Sequence, residues 1–217
     1  MEHNHACLTK LAVKWLRRPH SRGGHGCHVS LSECWSGFDG ERPDAIGFRV
    51  AGHNDGSVAV EVKTSRSDFL ADAAKPHRKP GAKALGNWRY YMCPEGLISI
   101  EETPPKWGLI YVNQRGRIEV IKGPYTTTNY HERNRVSSQM RLESDHERER
   151  YILVRLLLSV GDIDEARSKS KACYRQIDAL RRELSTLQAM TSPTQSRPSA
   201  AREPGKHDLP TPLPRKR

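Results

Sequence analysis

The chain has 217 residues, with 36 Lys plus Arg against 25 Asp plus Glu, a formal charge of +11, 35% hydrophobic residues and five cysteines. That length suits one domain with appendages. No apolar run approaches the roughly 20 residues of a membrane span, Met1 to His5 lack the charged-then-apolar order of a signal peptide, and five scattered cysteines (Cys7, Cys27, Cys34, Cys93, Cys173) do not make a secreted disulfide framework, so an intracellular, cytoplasmic protein without a membrane partner is expected.

Leu8, Leu11, Ala12, Trp15 and Leu16 recur at the spacing of an amphipathic helix over residues 7–18, whose other face carries Lys10, Lys14, Arg17 and Arg18. Pro19 and three glycines end it, and Cys27 to Ser32 reads as a short strand. Arg42 to Val50 and Ser57 to Lys63 are extended runs joined by a loop with Asn-Asp-Gly turn chemistry, which predicts an antiparallel hairpin. Ser65 to Ala74 is expected to be helical, with Ser65 as its N-cap and Asp68 and Asp72 as helix-start and packing residues; Pro76 stops it. Strands follow at Trp88 to Cys93, Trp107 to Val112 and Arg117 to Lys122, giving a mixed sheet flanked by helices.

Beyond Tyr130 the pattern is helical. Ile152, Leu153, Leu156, Leu157 and Val160 form one stripe, interrupted at Gly161-Asp162. Ala166, Ser170, Cys173, Ile177, Leu180, Leu184 and Leu187 then alternate spacings of four and three, a heptad seam that fits either self-association as a homodimer or docking on the chain's own core. Residues 191–217 hold six of the 14 prolines and no aromatic residue, the composition of a disordered tail. The basic excess is spread as +5 over residues 1–124, +2 over 125–190 and +4 over the tail. It favours polyanions such as nucleic acid, although the same excess also serves solubility.

The chemistry-bearing residues lie on the hairpin. In Ser57 to Lys63, Val58, Val60 and Val62 take one face while Glu61 and Lys63 share the other. With an even-length loop Asp44 faces the same side as Glu61 and Lys63, but a regular ladder turning at Asn54-Asp55 sets Asp44 opposite Ser65, so a twist or bulge is expected to bring it to Glu61. Two carboxylates and an ammonium on one face suit phosphodiester hydrolysis: Mg²⁺ takes one or two carboxylates and keeps waters, and a nearby cation offsets charge on the phosphate. The bland alternative is a surface ion-pair cluster. His25, Cys27, His28 and Cys34 lack the paired spacing of a zinc site. Trp88-Arg89-Tyr90-Tyr91 interleaves a cation with aromatics, fitting either a core strand or base stacking.

Pro43-Asp44 followed by Glu61-Val62-Lys63 resembles the signature of the PD-(D/E)xK nuclease superfamily, and Val60 to Asp72 (VEVKTSRSDFLAD) is similar to its MmcB-type DNA repair branch. The resemblance covers roughly Leu8 to Lys122. It implies an α/β restriction-endonuclease-like fold and a deoxyribonuclease using Mg²⁺, with Mn²⁺ as substitute, in DNA repair or in mobile-element or phage DNA processing within a prokaryotic or phage setting. It further implies Asp44, Glu61 and Glu33 as metal-binding residues, Lys63 beside them as catalytic, and DNA as partner through Ser65, Arg66 and Arg89. The expected organisation is a nuclease-like domain at 1–124, a linker at 125–144, a helical or coiled-coil arm at 145–190 that could pair two copies through 166–187, and the tail. The rival reading is a non-catalytic DNA-binding or adaptor protein on the same fold.

Overall fold

The computed structural model describes residues 4–37, 41–50, 52, 55–72, 75 and 83–191, and the chain divides into two compact units, 1–161 and 162–217. The first unit is built on helix α1 (His5–Arg17), strands β1 (Val29–Ser32), β2 (Ala45–Arg49) and β3 (Gly56–Val62), helix α2 (Arg66–Asp72), strands β4 (Trp88–Pro94), β5 (Trp107–Val112) and β6 (Ile118–Lys122), and helices α3 (Tyr130–Met140) and α4 (His146–Val160). The strands form one six-stranded mixed sheet in the order β1-β2-β3-β4-β5-β6. The β1–β2, β2–β3 and β5–β6 pairs are antiparallel, while β3–β4 and β4–β5 are parallel. The architecture is therefore α/β, with a mixed sheet flanked by helices.

Each sheet face has its own core. Val58, Val60 and Val62 project to the side of α1, where they meet Leu8, Ala12, Trp15 and Leu16 together with Trp88, Tyr90 and Met92 of β4. α1 starts there because the Asn4 side chain accepts the Cys7 N–H at 2.9 Å, satisfying one of the helix's open donors. Burying each of these aliphatic side chains stabilises the fold by roughly 1.5–3 kcal/mol, and a one-residue slip of β3 would drive Glu61 and Lys63 into that core instead. The opposite face packs Tyr91, Cys93 and Leu109 against Phe69 of α2, and Ile46 and Leu85 against Ile152 of α4.

The hairpin register differs from the expectation of a turn at Asn54-Asp55. Arg49 pairs with Gly56 and Ala45 with Val60, so six residues, 50–55, form the connection. Asp44 thereby falls opposite Glu61, and loop length does what a bulge was expected to do. Ala51, His53 and Asn54 lie outside the described residues.

The stretch 125–144, expected to be a linker, contains α3 and belongs to the compact first unit. Asn129 caps α3 by accepting the N–H groups of His131 and Glu132 at 2.9 and 3.1 Å, Met140 enters the α1-side core, and the Trp88 indole donates to the Ser137 carbonyl at 2.9 Å. So few inward positions leave only a faint apolar stripe in an otherwise polar helix. α4 is tied down by Glu149, which is buried and accepts from the Ser57 hydroxyl and, at 3.1 Å, from the Gly86 N–H. Only the start of its stripe docks: Ile152 is buried, whereas Leu157 and Val160 are exposed.

In the second unit, α5 (Ile163–Thr191) is a single 29-residue helix. Gly161 ends α4 with φ 74°, and the Asp162 carboxylate accepts the N–H groups of Asp164 and Glu165, so the sequence break at Gly161-Asp162 is a C-cap followed by an N-cap. The tail expected to be disordered, from 192 on, lies outside the described residues. No helix among the described residues is long and apolar enough to cross a membrane.

Candidate active site

One end of the sheet's strands gathers the start of β2, the end of β3 and the first turn of α1. Pro43, which has a fixed φ and no N–H to leave unpaired, delivers Asp44 directly ahead of β2. The Asp44 carbonyl accepts the Glu33 N–H at 3.1 Å, prolonging the β1–β2 ladder by one residue. Its carboxylate turns to β3, where Oδ2 accepts the Val62 N–H at 2.7 Å, taking the place of a ladder carbonyl that β2 is too short to supply. Oδ1 lies 3.0 Å from His5 Nε2. The first turn of α1, with its partial positive charge, thus stands beside this acid.

Glu61 lies across from Asp44 on β3 and is 3% exposed. Lys63, two residues on and on the same face, continues the β3–β4 ladder by donating its N–H to the Met92 carbonyl at 2.9 Å. Its side chain is 2% exposed, and the ammonium meets Asp72 Oδ1 at 3.0 Å and Asp68 Oδ1 at 3.7 Å. These two acids are four residues apart on α2 and therefore share one helix face. Asp72 is fully buried; Lys75 Nζ reaches the same oxygen at 2.7 Å, and the Tyr91 hydroxyl donates to Oδ2 at 2.6 Å. The Tyr91 ring is packed in turn, stacked on Trp107 and edge-on to Phe69.

The structure thus brings Asp44, Glu61 and Lys63 to one end of the adjacent strands β2 and β3 and ties Lys63 to α2. Glu33 lies at the same end of the strands, just past β1, exposed and with a left-handed φ of 49°. Ser65 accepts the Asp68 N–H at 3.2 Å, as an N-cap does. Arg66 grips Glu102 through both terminal nitrogens at 2.8 and 2.5 Å and donates to the Leu97 carbonyl, so it clips the β4–β5 connection to α2. This pairing holds the Glu102 carboxyl down to about 2.

Arg89 occupies a different place from a phosphate-contacting residue. It is buried, its guanidinium donating to the carbonyls of Ala84, Leu85, Gly86 and Glu143. Trp88, Tyr90 and Tyr91 are buried as well, so β4 is a core strand and offers no open ring to a base. Sequence reasoning passed over His5, read Tyr91 only as a core or base-stacking residue, and gave Asp72 only a helix-start and packing role. The one available signal was the four-residue spacing of Asp68 and Asp72 on the helix directly after Lys63.

Asp44 and Glu61 present the hard oxygen donors that Mg²⁺ requires, and a Mg²⁺ site needs only one or two of them, with water and phosphate completing the shell. Among the described residues no group of three or more His, Cys, Asp or Glu side chains is clustered so as to hold a metal ion. His25, which the sequence left without a partner for zinc, is buried with Nε2 2.7 Å from the Tyr90 hydroxyl. Burial holds it well below the ordinary histidine range, with the neighbouring His20 and Arg49 adding to the effect.

No family model and no curated protein matches the chain. Among solved structures it is similar to SPO1766, a protein of unknown function from Silicibacter pomeroyi, at 18% identity over 76% of this chain and 96% of that one, with a TM-score of 0.42.

Proposed function

We propose that the chain is a metal-dependent deoxyribonuclease with a restriction-endonuclease-like core, a member of the PD-(D/E)xK superfamily near its MmcB-type branch. The observation that carries this reading is the register placing Asp44 opposite Glu61, with Lys63 next on the same face. The order helix, three antiparallel strands, helix, parallel strand over α1 to β4 supports it.

Asp44 and Glu61 would hold Mg²⁺, or Mn²⁺ in its place; when bound, such an ion supplies an acidified water and offsets charge on the scissile phosphate. Lys63 adds a fixed positive charge beside the phosphate and orients the attacking water, its position set by Asp72 from below. Glu33, exposed at the same end of the strands, is the further acid available to the metal shell. Ser65, half-exposed just past Lys63, is the residue this reading assigns to the DNA backbone. The reading is of cleavage directed by DNA structure, in repair or in mobile-element or phage DNA processing.

A second reading, a DNA-binding or adaptor protein that does not cut, is favoured by one observation: the Lys63 ammonium is already engaged by Asp72 and Asp68. Incubating the purified chain with single-stranded, duplex, flap and junction DNA, with Mg²⁺, with Mn²⁺ and with neither, separates the two. Metal-dependent cleavage of any substrate is expected, and binding without cleavage across the panel selects the adaptor.

A further inference from the structure

We propose that α5 pairs with α5 of a second copy of this chain as an antiparallel two-stranded coiled coil, an inference that does not depend on the nuclease reading. Ile177, Leu180, Leu184 and Leu187 are each 42–57% exposed, all on one side of the helix. Contiguous exposed apolar surface of this kind marks an interaction site, and a long helix draws most of its stability from packing its apolar face. The spacing averages 3.5 residues rather than 3.6, which is the repeat of a left-handed coiled-coil seam.

The seam is complementary to itself in one direction. Its two alternating sets of positions are Ser170, Ile177 and Leu184 on one side and Ala166, Cys173, Leu180 and Leu187 on the other. Two copies running parallel and in register stack like on like. Ser170 would meet Ser170 and Cys173 would meet Cys173, leaving thin layers in the first half and paired leucines in the second. Running antiparallel, with Ile177 level with the partner's Leu180, the small side chains Ser170 and Cys173 each meet a large one. Ser170 faces the partner's Leu187, and Cys173 faces the partner's Leu184. Layer volume then stays even along the seam, as close packing requires. The flanks agree. Tyr174 lies beside the partner's Arg181, two positions off level, where a guanidinium can lie over the ring, and Gln176 lies beside the partner's Glu183 at the same offset, so the nearest flanking pairs set no like charges together. A two-fold interface uses the same surface on both copies, and the seam meets that condition.

Light scattering on the full chain should give twice the 24.6 kDa chain mass. Leu180→Glu, which places a charge at the centre of the seam, should return the monomer with the tryptophan fluorescence of the sheet core unchanged. Direction is read by oxidation with diamide. In the wild type the two copies of Cys173 would lie 11 positions apart, about 16 Å along the axis, beyond the reach of a disulfide. Leu184→Cys should therefore give a covalent dimer on a denaturing gel, and Cys173→Ser combined with Leu184→Cys should not. A monomeric wild type, or a Leu180→Glu variant that remains dimeric, overturns the pairing. A wild-type crosslink that disappears in Cys173→Ser, or a crosslink that survives in the double variant, overturns its direction.

Discussion

Replacing Asp72 by Asn keeps the shape of the side chain and removes its charge from a fully buried position. The Lys63 ammonium, 2% exposed, then faces a neutral amide at 3.0 Å and the half-exposed Asp68 at 3.7 Å. Removing one partner of a buried ion pair costs roughly 3–5 kcal/mol, because the other charge is left uncompensated. The amide oxygen still accepts from Lys63 and Asp68 is still nearby, so the loss belongs at the low end, about 3 kcal/mol, out of a total stability of about 5–15 kcal/mol. Asp68→Asn removes a longer and 45% exposed partner and should cost under about 1 kcal/mol. Urea unfolding at pH 7, followed by tryptophan fluorescence, measures both. Adding Lys63→Met to Asp72→Asn removes the stranded charge and should return at least about 1 kcal/mol of the loss. If Asp72→Asn costs no more than Asp68→Asn, or if Lys63→Met restores nothing, the buried pair does not hold this edge of the site together.

Gly108→Ala would place a Cβ 2.2 Å from the Tyr90 ring and 2.8 Å from the Lys122 carbonyl; Tyr90 is fully buried, so a loss of about 3 kcal/mol is expected, read as a lowered Tm. His25 should make the protein acid-sensitive. Its folded pKa is depressed by burial, so the unfolded chain binds the proton first, at about 6.5, and stability falls with pH below that value down to the folded pKa. Stability should therefore be lower at pH 5.5 than at pH 7, measured by urea unfolding at the two pH values, and His25→Gln should abolish this group's part of the slope.

The alternation in Ser57 to Lys63 was enough to place three valines in the core and Glu61 with Lys63 on the opposite face, because period two is a property of the strand itself. Register was not legible, because it depends on how many residues the connection uses. The Asn54-Asp55 turn chemistry set the centre of the ladder two residues too late for the connection that closes between Arg49 and Gly56. Gly56 adopts φ 146° against the Asn87 side-chain oxygen, which a Cβ would approach to 2.3 Å, and nothing in the local sequence names Asn87 as that neighbour. The parallel β3–β4 pairing likewise decides the fate of Arg89 and Tyr91: it sets Ala59 beside Arg89 and Glu61 beside Tyr91, burying a guanidinium and a phenol that the sequence left open to DNA. Asp72 was taken for a packing residue on α2 because its partners lie on β3 and β4, contacts that no helical period reveals.

The nuclease reading rests on Asp44 and Glu61 holding a metal ion for the chemistry rather than for DNA binding, and one paired measurement addresses it. Single-turnover cleavage in Mg²⁺ and DNA binding in Ca²⁺, an ion expected to support binding with little turnover, are compared for the wild type, Asp44→Asn and Glu61→Gln on the best substrate of the panel. The wild type should cut, both variants should lose cleavage, and their binding should be unchanged or tighter because a negative charge near the phosphates has gone. A wild type that cuts no better than Glu61→Gln in Mg²⁺ or Mn²⁺ would contradict the nuclease reading and leave the adaptor in its place.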